Sequence, residues 1–206
     1  MFIAIEGIDG AGKSTLAKTL EKSLSSSKFK VYLTYEPTEK FTENLSLLEK
    51  TGRNDPLILL AMFIKDRINH VAFIEEKIRE GFIVICDRFS LSTFAYQGAL
   101  LKDLFRDEES WIKWMESTLS IIQLIPDLTI YLDLKPQDFE GRKKKENHYE
   151  MFEDKAYLDS VYSAYRKAIE YGILSRNFHV CDASMDKNSV LECALSGLKS
   201  KLGLNV

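Results

Sequence analysis

The chain has 206 residues, of which 45% are hydrophobic and 29% are charged, and its formal net charge at pH 7 is -3. These values are typical of one globular α/β domain with an ample core. The net charge gives no overall attraction to nucleic acid or to an anionic membrane, so neither is an expected partner and any positive site must be local.

Several features of the sequence indicate a cytoplasmic protein. The longest apolar run, residues 57–64, is far too short to span a bilayer, and residues 1–5 enter a strand directly, which leaves no room for a signal peptide. Cys86, Cys181 and Cys193 form no CxxC pair, and two of them end strand-like runs, so we expect buried, reduced thiols. The histidines are far apart in sequence and show no metal-binding spacing.

Residues 7–14 match the phosphate-loop pattern G-x-x-x-x-G-K-[ST] at every fixed position. An apolar strand-like run precedes them, and leucines at helical spacing follow in residues 15–24, which is the context that such a loop requires. Glycines let successive amides point inward at a phosphate. We expect Lys13 to reach the β and γ oxygens of a nucleotide and Ser14 to bind Mg²⁺. The alternative, a glycine-rich turn with a chance lysine, does not explain the flanking strand and helix.

Strand-like and helix-like segments alternate along the rest of the chain. The dipeptide Asp55-Pro56 is a helix-start signature, and Gly81 and Gly98 are expected helix stops. The alternation predicts an α/β fold of three layers, with a five-stranded parallel sheet between helices on both faces, as in P-loop NTPases. The predicted strands are residues 1–5, 29–35, 82–86, 128–134 and 178–181. The predicted helices are residues 15–24, 41–50, 56–80, 91–98, 108–122, 149–171 and 187–201.

The carboxyl ends of parallel strands meet at one edge of a sheet, where ligands collect in such folds. Asp87 follows a predicted strand there and could hold Mg²⁺ through water while bonded to Ser14; the alternative is a helix cap or turn. The planar fork of Arg88 suits bidentate phosphate binding. An ion pair of Arg88 with Asp87 or Glu36 is the other interpretation, and both could hold together.

Two more groups could bind a substrate. Phe63 and Arg67 lie four residues apart on one helix face, so the phenyl ring could stack on a base and the guanidinium could bind its edge. The commoner reason for this spacing is a core aromatic residue beside an arginine whose aliphatic stem is buried and whose charged end reaches solvent. The basic run 142–145 is expected on charge alone to be a solvated face. Its place after the fourth strand also suits a closing lid that stabilises a phosphoryl group in transfer.

Taken in order, these residues resemble the thymidylate kinase family over nearly the whole chain, as a single domain over residues 1–206 with a lid at about 136–150. The phosphate loop alone would be shared with many kinases and GTPases, and the ordered set is much more specific. The resemblance rests on residues 6–15, the Glu36-Pro37 loop, the spacing of Phe63 and Arg67, Asp87-Arg88 with Ser92 and residues 95–97, residues 126–133, and Tyr149-Glu150.

The resemblance implies transfer of the ATP γ-phosphoryl group to thymidine 5'-monophosphate (dTMP), with Mg²⁺ held by Ser14 and Asp87 and ATP as co-substrate. The implied catalytic residues are Lys13, Arg88, Asp9, Arg142 and Lys144. The implied ATP phosphate-binding residues are Gly7, Asp9, Gly10, Ala11, Gly12, Lys13, Ser14 and Thr15. The implied substrate-binding residues are Glu36, Pro37, Phe63, Arg67, Arg88, Thr93, Tyr96, Gln97 and Glu150.

The resemblance also implies a homodimer and a cis peptide bond at Glu36-Pro37. The chain departs from many relatives at Tyr35, where they have arginine, and in its lid, where Arg142 is the single arginine. Two alternatives stay open at this point. A deoxynucleoside kinase would use Glu36 as general base for a sugar hydroxyl, and a non-catalytic relative would bind the nucleotide without turnover.

Overall fold

The computed structural model describes residues 1–41, 55–139 and 155–204. Its five strands form one all-parallel sheet in the order β2-β3-β1-β4-β5. The strands are β1 Phe2–Glu6, β2 Val31–Tyr35, β3 Ile83–Asp87, β4 Leu128–Asp133 and β5 Phe178–Asp182. The prediction of a five-stranded parallel sheet is confirmed.

The helices cover both faces of this sheet. Alternate residues of β1 belong to two separate core clusters, Ile3 and Ile5 to one, Phe2 and Ala4 to the other, as expected when both sides of a strand are buried. The described helices are α1 Lys13–Ser26, α2 Pro56–Arg79, α3 Ser90–Leu101, α4 Glu108–Leu119, α5 Pro136–Phe139, α6 Lys155–Glu170 and α7 Lys187–Leu202, with a 3₁₀ turn at Lys102–Leu104. Of the predicted helix 41–50 only Phe41 is described, and the first residues of the predicted helix 149–171 also lie outside the described part.

Helix α2 begins and ends where its sequence signals predict. The Asp55 carboxylate accepts the Leu57 amide at 2.8 Å, and Pro56 occupies the first helical position. Past the other end, Gly81 takes a φ of 85°, a left-handed conformation that favours glycine. The long helix is thereby fixed between β2 and β3, with Arg67 and His70 on its buried side.

The expectation that Gly98 ends its helix is wrong. Helix α3 continues through Gly98 to Leu101 because the glycine makes room for Trp111 of α4. A Cβ at position 98 would lie 3.1 Å from the indole carbon Cζ2, and the indole N–H donates to the Gly98 carbonyl at 3.0 Å. The glycine serves helix packing and not helix termination.

The expectation of reduced thiols is wrong for two of the cysteines. Cys181 of β5 and Cys193 of α7 form a disulfide, with their Cα atoms 5.9 Å apart. The prediction failed because the two cysteines are 12 positions apart in sequence and are brought together by the packing of a strand on a helix. A search for CxxC pairs does not detect such a pair. Cys86 is free and buried, and its burial raises the pKa of its thiol.

No helix in the described part of the chain has the length and apolar character needed to cross a membrane.

Candidate active site

The phosphate loop joins the central strand β1 to α1 and folds through three glycines in positive-φ conformations. Gly7, Gly10 and Gly12 have φ values of 148°, 73° and 92°. A Cβ at Gly7 would lie 2.7 Å from the Leu132 carbonyl oxygen of β4, so a side chain is sterically excluded there. No described side chain caps the amino end of α1 at Gly12, which leaves the first amides of the helix for a ligand.

Lys13 lies inside the curve of this loop. Its ammonium donates to the Ile8 carbonyl at 2.7 Å, and the residue is buried. Burial, followed by the positive charge of Arg88, lowers the pKa of Lys13 to about 8. The loop therefore contains a buried cation whose charge an anionic ligand would stabilise.

Ser14 and Asp87 form a pair of oxygen donors at the ends of α1 and β3. The Ser14 hydroxyl donates to one oxygen of the Asp87 carboxylate, while the other oxygen, Oδ1, is buried and has no hydrogen-bond partner among the described residues. Asp87 is not a helix cap, because the residue at the N-cap of α3 is Phe89. A hydroxyl beside a carboxylate with an unused oxygen is a donor set that fits Mg²⁺.

Arg88 extends toward the phosphate loop from a left-handed backbone conformation with a φ of 71°. Its guanidinium pairs with Asp9 at 2.5 Å, donates to Ser92 at 3.1 Å and lies 5.0 Å from the centre of the Tyr96 ring. The alternative interpretation, an ion pair of Arg88 with Asp87 or Glu36, is wrong about the partner, because the acid that Arg88 contacts is Asp9. Register explains the difference, since Asp87 of β3 is opposite Ile5 of β1 and the next residue faces the loop.

Asp9 connects Arg88 to Tyr96. The Tyr96 hydroxyl donates to the Asp9 carboxylate and accepts the Asp9 amide, both at 3.0 Å. Burial alone would raise the pKa of Asp9, but the cations Arg88 and Lys13 outweigh it and lower the pKa. The carboxylate is thus ionised and can hold Arg88 in place.

Glu6, which the sequence motif includes only as the residue before the loop, lies in a buried hydrogen-bond network at the base of the candidate site. Its buried carboxylate accepts the amides of Phe89 and Ser92 at 2.8 and 3.2 Å, the Ser92 hydroxyl at 2.5 Å and the Tyr165 hydroxyl at 3.1 Å. Burial raises the pKa of Glu6 despite these bonds. Glu6 therefore ties β1 to α3 and α6 at the base of the site, and a lone acid at the end of an apolar run was the signal for it.

A second polar network lies at the end of β2. The Glu36 carboxylate accepts from the Arg67 Nε at 2.7 Å and lies 2.9 Å from the His70 Nδ1. The Arg67 Nη2 donates to Thr93 at 2.8 Å, and the guanidinium carbon lies 5.2 Å from the centre of the Phe89 ring. The remaining nitrogen, Nη1, is buried without a partner among the described residues. The Glu36-Pro37 peptide bond is cis, so that prediction is confirmed.

The other expected site residues have mixed environments. The Phe63 ring is tilted against Phe41, with centroids 4.3 Å apart, and Gln97 is buried on α3 beside Tyr96. In the loop, Ala11 is buried and Thr15 is exposed. Arg142, Lys144 and Glu150 are outside the described residues, as is the basic run 142–145 to which the first two belong.

Comparison with known proteins gives one consistent result. The profile of the family described as thymidylate kinase matches residues 5–193. A relative named "Probable thymidylate kinase 1" from Saccharolobus solfataricus is 41% identical over 203 residues, which cover 97% of each chain. A "Probable thymidylate kinase" from Thermoplasma acidophilum is 34% identical over 93% of this chain and 92% of its own. Another from Sulfurisphaera tokodaii is 39% identical over 88% of this chain and 87% of its own.

These matches extend over the loop, the Asp87-Arg88 pair and the Glu36 network described above, and the chain belongs to the thymidylate kinase family.

Proposed function

We propose that this protein transfers the γ-phosphoryl group of ATP to dTMP and releases dTDP and ADP. The observation that carries the proposal is the convergence of three groups at one sheet edge. The phosphate loop offers a donor site, the Arg88–Asp9 pair an acceptor-phosphate site, and Arg67 an unpaired donor for a base. The relatives' names agree with this reaction.

On the donor side, Lys13 neutralises the phosphates and the amides after Gly12 bind them, together with the loop residues 7–15. We propose that Ser14 and Asp87 hold Mg²⁺, because the unused Oδ1 oxygen of Asp87 is buried beside the Ser14 hydroxyl. When bound, the metal would withdraw negative charge from the β and γ phosphates.

On the acceptor side, Arg88 binds the dTMP phosphate and sets it in line with the γ-phosphoryl group. The arginine is already oriented by Asp9 and Ser92, so little of its side-chain freedom remains to be lost on binding. The acceptor phosphate is itself an anionic nucleophile, so the reaction needs no general base. Catalysis is then positioning and electrostatic stabilisation.

The base is read by Arg67, with Phe63 stacking on it. The Arg67 Nη1 is a buried donor that needs an acceptor, and a thymine oxygen would supply one, whereas cytosine presents an amino group at the equivalent place. Tyr96 and Gln97 would lie near the sugar, and Glu150 near its 3'-hydroxyl. We propose Arg142 and Lys144 as the lid cations that cover the transferring group.

The deoxynucleoside kinase alternative is weakened by the surroundings of Glu36. One oxygen of its carboxylate accepts from Arg67 and the other is next to His70, and the side chain is only 4% exposed. A general base must be within reach of a substrate hydroxyl and free to accept its proton. Glu36 instead has the surroundings of a residue that holds Arg67.

The experiment that tests the proposal is ADP release from ATP and Mg²⁺ with dTMP, dUMP, dCMP, dGMP, dAMP and free thymidine in parallel. We expect turnover with dTMP, a lower rate with dUMP because a methyl group contributes about 1–3 kcal/mol in an apolar pocket, and little with the rest. Activity on free thymidine would favour the nucleoside kinase. ATP binding without any turnover would leave a non-catalytic relative.

We further propose that the protein works as a cytoplasmic homodimer that pairs through α2. Support for the dimer comes from apolar residues that α2 leaves exposed at helical spacing, Leu57, Ala61, Ile68 and Ala72. A row of this kind is what one copy of a helix presents to another.

A further inference from the structure

His70 belongs to the Glu36 network but has no part in the reaction proposed above. It is buried on α2, one helical turn after Arg67, so both side chains share the face that meets the end of β2. Both ring nitrogens are engaged: Nδ1 lies 2.9 Å from a Glu36 carboxylate oxygen, and Nε2 lies 2.7 Å from the Thr34 hydroxyl. His70 therefore contacts Thr34 with one ring nitrogen and Glu36 with the other.

The bonds of Glu36 divide between its two oxygens. Oε2 accepts from Arg67, and Oε1 is the oxygen next to His70. A carboxylate held at one oxygen alone can still turn about its last side-chain bond, whereas one held at both cannot. Loss of His70 would also leave Oε1 buried without its partner, and burial without a hydrogen bond is unfavourable for a charged oxygen.

Glu36 binds one side of the Arg67 guanidinium. Glu36 accepts from Nε, Thr93 accepts from Nη2, and the guanidinium packs near the Phe89 ring. Nη1 is then the nitrogen left without a partner among the described residues. Its position therefore depends in part on the orientation of the Glu36 carboxylate, whose other oxygen contacts His70.

We propose that His70 is a positioning residue for base recognition. Together with its anchor Thr34, it fixes the Glu36 carboxylate and so holds the Arg67 donor ready for a pyrimidine oxygen before the substrate binds. The inference rests on the proposed function. It assigns selectivity for the base to a residue that does not touch the substrate, and it leaves the donor site and the phosphoryl-transfer step unaffected.

The test compares His70→Leu, which fills the space without a donor, with His70→Asn, whose amide N–H can replace Nδ1. We expect His70→Leu to raise the KM for dTMP about 10-fold or more and to leave kcat within about 3-fold, because one hydrogen bond to a charged group is lost. The KM for ATP should not change. The ratio of kcat/KM for dTMP over dCMP should fall, and His70→Asn should recover most of both effects.

The matched control is His179→Leu, which replaces the histidine on β5 that lies beside Cys193 and far from this network in the sheet order. It should change neither KM nor the selectivity. If His70→Leu does not fold, as judged by circular dichroism, Thr34→Val removes the partner of Nε2 alone and should raise the KM for dTMP about 3-fold, since one neutral hydrogen bond is lost.

Two outcomes would overturn the inference. One is a His70→Leu enzyme with the dTMP KM and selectivity of the wild type. The other is an equal rise in both KM values that His70→Asn does not reverse, which would indicate a purely structural residue. A wild-type protein inactive on dTMP would overturn the proposed function and this inference with it, so the two failures are told apart by the wild-type assay.

Discussion

At the scale of single residues, Arg88 shows that a sequence can place a residue in the fold without identifying its partner. The sequence places Arg88 at the sheet edge where the carboxyl ends of the strands meet, and the structure shows it directly after β3 at that edge. Its partner could not be predicted, because Asp9 comes within reach only when β1 and β3 lie side by side in their observed register. The sequence shows that an arginine stands at position 88, and the register of the strands determines which acidic residue it contacts.

Replacing Arg88 by alanine tests its role. We expect Arg88→Ala to lower kcat/KM for dTMP by about 10²–10³, the loss usual for one charged donor in a transition state, while ATP still binds. Steady-state kinetics and calorimetric titration with ATP would measure the two quantities. Arg106→Ala, at an exposed position between α3 and α4, is the matched control and should leave both unchanged. Near-normal turnover in Arg88→Ala would remove Arg88 from the reaction.

The lowered pKa of Lys13 predicts that nucleotide binding is accompanied by proton uptake. Burial, followed by Arg88, lowers its pKa to about 8, so at pH 8 about half of the unliganded molecules carry a neutral lysine. Binding of an anionic nucleotide favours the charged form, and ATP binding at pH 8 should therefore take up protons. Titration calorimetry in two buffers of different ionisation enthalpy would detect the uptake.

The same titration at pH 6.5 is the internal control, because Lys13 is already charged there and no uptake through it is expected. A binding enthalpy independent of buffer at pH 8 would contradict the lowered pKa.

The same pKa shift makes the stability of the unliganded protein depend on pH. The unfolded state binds more protons than the folded state between the lowered pKa and the ordinary value of 10.5, so Lys13 makes the unliganded protein more stable as pH rises through that window.

At the scale of elements, sequence signals predict correctly those helix ends that are determined by residues close by in sequence. Asp55-Pro56 and Gly81 act within a few residues of themselves, so the bounds of α2 could be read from the chain. Gly98 could not be read in this way, because its role depends on Trp111, which packs against it from another helix. A glycine can mark either a helix end or a close packing contact, and only the fold distinguishes them.

The disulfide is a second feature that depends on packing between elements. We expect Cys193→Ser to lower the free energy of unfolding by about 3 kcal/mol, since Cys181–Cys193 closes a short loop in the unfolded chain. Denaturant unfolding with and without a reducing agent would measure the difference. The reducing agent should destabilise the wild type and have no effect on the variant.

This change should leave the reaction almost intact at temperatures well below unfolding. Strand β5 is at the edge of the sheet, two strands from β1, whereas the candidate site is built on β1, β2 and β3. A large drop in kcat in Cys193→Ser at such temperatures, or a wild type that the reducing agent does not destabilise, would contradict a purely stabilising disulfide.

At the scale of the whole molecule, the proposed dimer is tested on α2. Ile68 is 53% exposed within the apolar row, and a charge there would oppose pairing with a second copy. We expect light scattering to give twice the mass of one chain for the wild type and one chain mass for Ile68→Asp. Ile121→Asp, at an exposed apolar position outside the residues of α2, is the matched control and should stay dimeric. A monomeric wild type would refute the proposal.

The contact between Trp111 and Gly98 also gives the molecule an optical property. Both tryptophans of the chain lie on α4, and the Trp111 indole is bonded to the carbonyl that directly follows Gln97 on α3. The Trp111 indole therefore packs against the helix that carries Thr93, Tyr96 and Gln97. A ligand that shifts α3 against α4 would move the Gly98 carbonyl relative to the Trp111 indole, so the intrinsic fluorescence of the protein is expected to respond to such a movement.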